Sequence, residues 1–309
     1  MDYRTLGRTG LRVSAMGLGA GGPSRLGQRQ NVPESESVAI LRQAFDAGVN
    51  FIDTAEAYGT EEIVGKALRD IPREQVVIST KVSTWDGISP AEVQSKLEAS
   101  LKRLGTERVD IYHLHGVIAD DYDYLLNEIV PVLQAQQARG KIGHLGITER
   151  FGADTRHAML QRAVEDNVWD VMMVGFNILN QSARERVFAR TIAHDIGVLV
   201  MFAVRKALSS PERLHEVLRE LAEQGAIDPA LAQQDNPLDF VLDGGAVSLA
   251  DAAYRFCLYE PGTHVILSGT GNPDHLRENL ASFQRPPLSP EVTDRLREMF
   301  AGVDSISAQ

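Results

Sequence analysis

Four residues of this chain suit the transfer of a proton to an oxygen atom: Asp53, Tyr58, Lys81 and His115. A tyrosine near its reference pKa of about 10 gives up its proton reluctantly at neutral pH, and a neighbouring ammonium stabilises the phenolate and lowers that value. Lys81 is expected to supply this charge, and Asp53, as a carboxylate, to hold the lysine charged and oriented. His115 can donate a hydrogen bond to a substrate carbonyl. The set would protonate an oxygen while another group attacks the carbon. No activated serine or cysteine nucleophile stands near these residues in the sequence, so hydride from a bound nicotinamide is the sensible attacker. Each residue also has a structural reading: Asp53 as a turn cap, Tyr58 as a rim aromatic, Lys81 as a solvated strand end, His115 as a packed histidine. Their convergence favours chemistry.

The elements that must position them can be read from the hydrophobic pattern. Residues 50–58, NFIDTAEAY, read as a short buried strand running out into a loop that carries Tyr58. The run 75–81, QVVISTK, ends in Lys81, and 109–115, VDIYHLH, ends in His115. Three successive β-like runs thus deliver titratable groups at the same end. Further strands are expected at 15–19, 142–148, 170–177, 197–203 and 265–267. Helices are expected at 35–48, 60–69, 90–104, 123–139, 154–166, 182–194, 248–258 and 273–283. Eight strand-then-helix units are the arithmetic of a closed (β/α)8 TIM barrel, an α/β fold in which catalytic groups gather at the C-terminal ends of the strands. The expectation is one domain spanning 1–309, with a hairpin over 3–14, a helix at 211–224 and a long loop at 205–247 after the seventh strand, and a surface helix at 290–300. An open doubly wound sheet is the alternative.

Bulk properties narrow the partners. Hydrophobic content of 43% and charged content of 24% are ordinary for a soluble globular protein. A formal net charge of -11 disfavours nucleic acid or an anionic membrane as a partner. The single cysteine, Cys257, excludes an intramolecular disulfide and reads as a buried structural thiol. The N-terminus lacks the apolar core of a secretory signal, and the longest apolar run, 198–204, is too short to span a bilayer, so a cytoplasmic location is expected. Gly17, Gly19 and Gly22 match the spacing of the dinucleotide fingerprint, but Pro23 and a polar run to Pro33 separate them from any helix, and the fingerprint requires a helix at once. His113 and His115 resemble the His-x-His of metal-dependent barrel hydrolases. Later strand ends, at Thr148, Met173 and Phe202, offer no further ligands, and no metal is expected.

The chain resembles the aldo-keto reductase family over nearly its whole length. The resemblance is carried by YRTLGRTGLRVSAMGLG at the start, GVNFIDTAEAYG around Asp53 and Tyr58, STK at Lys81, LGTERVDIYHLHG at His115, GKIGHLGIT at the fifth barrel strand and SGTGNPDHLRENL near the end. It implies a (β/α)8 barrel that binds an extended NAD(P)H across the C-terminal face. It also implies Tyr58 as general acid, Lys81 and Asp53 as its tuning pair, and His115 as the group that orients the carbonyl. The implied reaction interconverts an alcohol and a carbonyl, whether aldehyde, ketone or sugar lactol. A nucleotide-binding regulatory or sensor barrel with little turnover is the rival, because the nicotinamide contacts depart from the family pattern.

Those departures lie on the later strands. Thr148 and Glu149 stand where relatives place Ser-Asn, and an ionised glutamate cannot donate a hydrogen bond. Met173 replaces a glutamine. Phe202-Ala203-Val204 replaces Tyr-Ser-Pro, which keeps a ring for stacking. For the phosphates, Ser268, Gly269 and Thr270 precede a helix start, which favours an anion, and Arg205 with Lys206 could close over the pyrophosphate. Glu278 and Asn279 match the family's adenine contacts. Gly269 and His275 occupy positions where NADPH users carry strong cations. NADPH is expected from family habit, with NADH possible; the partner is a small carbonyl or alcohol, its identity set by loops that include Trp85.

Overall fold

The computed structural model describes residues 1–309. Strands β1 (Tyr3–Thr5) and β2 (Arg12–Ser14) pair antiparallel as a hairpin. Eight parallel strands then close a barrel: β3 (Met16–Gly19), β4 (Phe51–Asp53), β5 (Val77–Ser83), β6 (Val109–Val117), β7 (Ile142–Glu149), β8 (Val171–Gly175), β9 (Gly197–Met201) and β10 (Val265–Ser268). Strand β10 pairs with both β9 and β3, so the sheet has no free edge. The open doubly wound alternative is thereby excluded.

Strand alternation sorts the side chains into two cores. Phe51, Val77, Ile111, Val171, Leu199 and Val265 pack inside the barrel, where Leu6 of the hairpin joins them. The opposite faces pack against the helices in a single larger cluster. The interior is therefore filled below the mouth, and any cavity must lie at the C-terminal ends of the strands.

Several boundaries differ from the sequence expectation. Strands β5 and β6 run on to Ser83 and Val117, so Lys81 and His115 lie just inside their strands rather than at the ends. The helix expected over 123–139 contains a wide turn at Leu125–Ile129 before the regular stretch Val130–Ala138. Pro131 explains it: without an N–H it cannot make the normal bond, and its ring would press on the carbonyl four residues back. The helix expected over 154–166 is reduced to Ala158–Ala163, because His157 adopts a left-handed backbone with φ of 60°. The first helix after Gly17 begins only at Glu34, so the glycine pattern leads into a loop. The loop at 226–247 holds short helical turns at Leu231–Gln233 and Phe240–Asp243. No helix is long and apolar enough to cross a membrane.

Candidate active site

Parallel pairing in register sets Asp53 beside Ser79 and Lys81 beside His113. Lys81, two residues beyond Ser79 on the same barrel-facing side, reaches back so that Nζ donates to Asp53 Oδ2 at 2.6 Å and to the Thr54 carbonyl at 2.8 Å. Ser79 Oγ donates to the other carboxylate oxygen, Oδ1, at 2.8 Å. Behind it, His113 Nε2 lies 3.1 Å from Ser79 Oγ. Lys81 is fully buried and Asp53 nearly so. Burial pulls the ammonium down, but Asp53 and then Tyr58 more than compensate, and Lys81 sits above its usual range. Burial pushes the Asp53 carboxyl up, with Lys81 and the hydrogen bonds opposing the rise.

Tyr58 comes from the loop after β4 and sits against Gly21, where a Cβ would lie 2.4 Å from the ring. Gly21, which is not one of the three fingerprint-spaced glycines, is therefore needed for the close approach of the phenol. The Lys81 ammonium is 5.0 Å from the Tyr58 ring centroid. The sequence argument expected the phenol to be lowered. In the structure burial raises it, and the pull of Lys81 recovers only part of the rise. Without ligand, the phenol therefore keeps its proton above the ordinary tyrosine range.

His115 stands at a bulge: the register between β6 and β7 shifts between Leu114 and Val117. Gly116 takes φ of 68° there, and its N–H donates to Thr148 Oγ1 at 2.7 Å. Bulges re-aim a side chain beside active sites, and here His115 Nε2 lies 3.4 Å from the Tyr58 hydroxyl oxygen. Burial, with a smaller contribution from Lys81, lowers the His115 pKa to about 3, so the imidazole is neutral near pH 7. Its Nδ1 is buried without a hydrogen-bond partner. Placing the proton on Nε2 leaves the orphan atom as a bare acceptor and aims the donor at the mouth. Around His113 and His115 no group of three or more potential metal-ligating side chains assembles.

A cavity of about 1310 Å³ joins this constellation to the far end of the groove, lined by Asp53, Tyr58 and His115 at one end and by Gly269, Thr270, His275, Glu278 and Asn279 at the other. Thr148, Glu149, Met173, Phe202 and Arg205 also line it, whereas Ala203 and Ser268 do not. Ser268 Oγ instead receives Asn279 Nδ2 at 2.9 Å and lies 3.0 Å from the Tyr254 hydroxyl.

The departures from the family pattern take specific positions. The Thr148 hydroxyl is engaged by Gly116. The Glu149 carboxylate is fully buried, 2.9 Å from His157 Nδ1, and accepts the Gly175 N–H at 2.7 Å. Burial raises this carboxyl, His157 opposing. Phe151 stacks on His157 with centroids 5.3 Å apart, and on Phe202 at 6.2 Å. The Arg205 guanidinium covers the Phe202 ring at 3.7 Å. Phe202 has φ of 68°, a left-handed backbone that costs a non-glycine residue roughly 1–2 kcal/mol and gathers at functional sites. Arg205 finds no carboxylate: burial lowers it to about 10, and its Nε has no partner.

Sequence reading missed Ser79, Phe151 and His157. Ser79 carried a signal, since alternation from Lys81 puts it on the same face; Phe151 lies between the expected strand and helix, and His157 falls in the helix expected over 154–166, where the pattern gives no sign of its left-handed backbone.

A family model described as the Aldo/keto reductase family matches residues 15–301, and the chain belongs to that family. It is 37% identical to an L-galactose dehydrogenase of Arabidopsis thaliana in a match that spans 48% of each chain. It is 27% identical to the NADH-specific methylglyoxal reductase of Escherichia coli over 95% of this chain and 97% of that one. The holo form of an aldo-keto reductase from Bacillus halodurans superposes with a TM-score of 0.75 at 22% identity, covering 99% of this chain and 98% of that one, and shows the fold alone.

Proposed function

We propose that this chain is an NAD(P)H-dependent oxidoreductase that interconverts a carbonyl and an alcohol, with Tyr58 as its general acid. The observation that carries the reading is the buried Asp53–Lys81 pair beside the Tyr58 phenol, next to a cavity of about 1310 Å³ whose lining runs from Asp53, Tyr58 and His115 to Gly269, Thr270 and Asn279.

The residues present fit such a cofactor. Arg205, a half-buried cation with an unpartnered Nε, and Lys206 would hold the pyrophosphate, with Gly269 and Thr270 at the start of the helix Pro273–Ser282. Phe202 would meet the nicotinamide, and Glu278 and Asn279 the adenosine. When bound, the reduced nicotinamide supplies hydride to the carbonyl carbon. Neutral His115 donates from Nε2 to the carbonyl oxygen and fixes its direction. Tyr58 gives its proton to that oxygen as charge builds there, and Lys81, held by Asp53 and Thr54, stabilises the phenolate left behind. In the oxidative direction the same groups run in reverse.

The adenosine end favours NADH over the NADPH expected from family habit. A 2'-phosphate needs a free cation, and Arg277 is tied to Asp274, while the cavity there presents Gly269, His275 and Glu278. Mixing the purified protein with NADH or NADPH and a panel of aldehydes in a stopped-flow instrument tests both statements. Oxidation of NADH at the higher kcat/KM is the expected result. A preference for NADPH overturns the cofactor choice, and binding without oxidation by any aldehyde favours a regulatory or sensor barrel.

A further inference from the structure

Three permanent cations line the cavity: Arg150, Arg205 and Lys206. None of them has a carboxylate within 4.0 Å. Arg205 and Lys206 follow β9, where the pyrophosphate assigned above accounts for them. Arg150 follows β7 and is left over.

Its surroundings place it at the catalytic end. The Arg150 guanidinium lies 5.6 Å from the Trp85 ring centroid, and that ring lies 5.1 Å from the His115 ring. Trp85 gets this close because Gly116 has no side chain: a Cβ there would meet the indole Nε1 at 2.1 Å. Neither the guanidinium nor the indole N–H makes a hydrogen bond within the chain, and both side chains are exposed at the mouth. An unpaired surface arginine is ordinary by itself. This one is oriented by an aromatic face, one ring away from the imidazole that faces the reacting oxygen, in a protein of net charge -11. Arg25, another cation without a carboxylate partner, is near enough to pull the Tyr58 phenol downward. A planar guanidinium with free donors is the natural partner of a carboxylate, which it can grip with two parallel hydrogen bonds.

We propose that the substrate is an oxo acid or hydroxy acid whose carboxylate binds Arg150, whose connecting carbons lie on Trp85, and whose reacting oxygen sits between Tyr58 and His115. With the cation 5.6 Å and the imidazole ring 5.1 Å from the Trp85 ring centroid, the two ends of the substrate are separated by several bonds, as in an ω-oxo acid. The inference rests on the oxidoreductase reading but is tested apart from it.

Trp85 is one of two tryptophans, and the other, Trp169, is fully buried, so ligand-induced changes in fluorescence report on this mouth. The probes are 4-carboxybenzaldehyde and its neutral methyl ester, compared by fluorescence titration and by steady-state turnover with NADH. The acid should bind about tenfold more tightly than the ester and show about tenfold higher kcat/KM, the size of one charge-assisted contact. Arg150→Met should bring both ratios to near unity, and raised salt should shrink them. Equal binding of acid and ester, or an unchanged ratio in Arg150→Met, overturns the proposal. If the acid binds selectively and neither aldehyde oxidises NADH, the oxidoreductase reading fails and the carboxylate site stands; if the ester is reduced as well as the acid, the site fails and that reading stands.

Discussion

Between β4 and β6 the barrel mouth is a chain of hydrogen bonds, running His113, Ser79, Asp53, Lys81 and Thr54. Between β7 and β9 it is a stack of flat groups, running His157, Phe151, Phe202 and Arg205. The first half holds charge in a buried place, and every oxygen of Asp53 is occupied so that Lys81 remains an ammonium. In the second half the polar atoms of Thr148 and Glu149 are engaged by the barrel itself, so the free donors come from the cations that follow the strands. The contrast teaches where each ligand contact must originate. In the proposed reaction the proton chemistry belongs to β4 to β6, whereas the later strands offer shape, a ring face and the cations Arg150, Arg205 and Lys206 that follow them.

The sharpest way to break this contrast is Tyr58→Phe. Turnover should fall on the order of 10² to 10⁴ fold, the range for a positioned acid, with the fold intact by circular dichroism; near-normal turnover would remove Tyr58 from the chemistry. Next in size is Lys81→Met, which strands the buried Asp53 carboxylate. Removing one partner of a buried pair costs about 3–5 kcal/mol, so chemical denaturation should show a loss of that order, with activity falling as well. Glu149→Gln tests the other half. If Glu149 serves the barrel rather than the cofactor, stability should drop by about 1–3 kcal/mol while the Kd for NADH moves little. A large rise in Kd with unchanged stability would make Glu149 a ligand contact and erase the distinction between the halves.

Two pH measurements probe smaller effects. The phenol is raised in the free protein, so kcat/KM for reduction should hold up to about pH 10, the ordinary tyrosine value; a decline beginning near neutrality would mean that Lys81 outweighs burial. His115 is lowered from 6.5 to about 3, so between those values the unfolded chain binds a proton that the folded one refuses. Stability must then rise with pH across that window and be lost as pH falls through it. The slope of Tm against pH from 4 to 6.5 should flatten in His115→Asn, and an unaltered slope would show that the folded protein does accept that proton.

Much of this was legible before any coordinates. Period-two runs ending near Asp53, Lys81 and His115 are enough to place three groups at one end of a parallel sheet, and eight such units call for closure. The prolonged strands β5 and β6 were harder to see because Val82 and Ser83 show no clear alternation and Gly116 reads as a strand end. Gly116 alone cannot distinguish a turn from a bulge: the bulge exists because two neighbouring strands must match registers, and their pairing shows it. Ser79 could have been inferred from Lys81 by counting two residues back along the strand.

The later strands resisted for a different reason. Thr148, Glu149 and Met173 are visible as departures from the family pattern, yet what a departure does depends on its neighbours in space. Glu149 meets His157 because that residue takes a left-handed backbone just before the helix Ala158–Ala163, and Trp85 reaches His115 because a glycine on another strand leaves room. The sequence by itself determined the barrel and brought out the four residues proposed to carry the proton transfer, since both follow from short-range periodicity and from residue types that few other roles require. Only the tertiary structure decided the charge state of those residues and the character of the binding half, because burial and the pairing of distant side chains are properties of the packed chain.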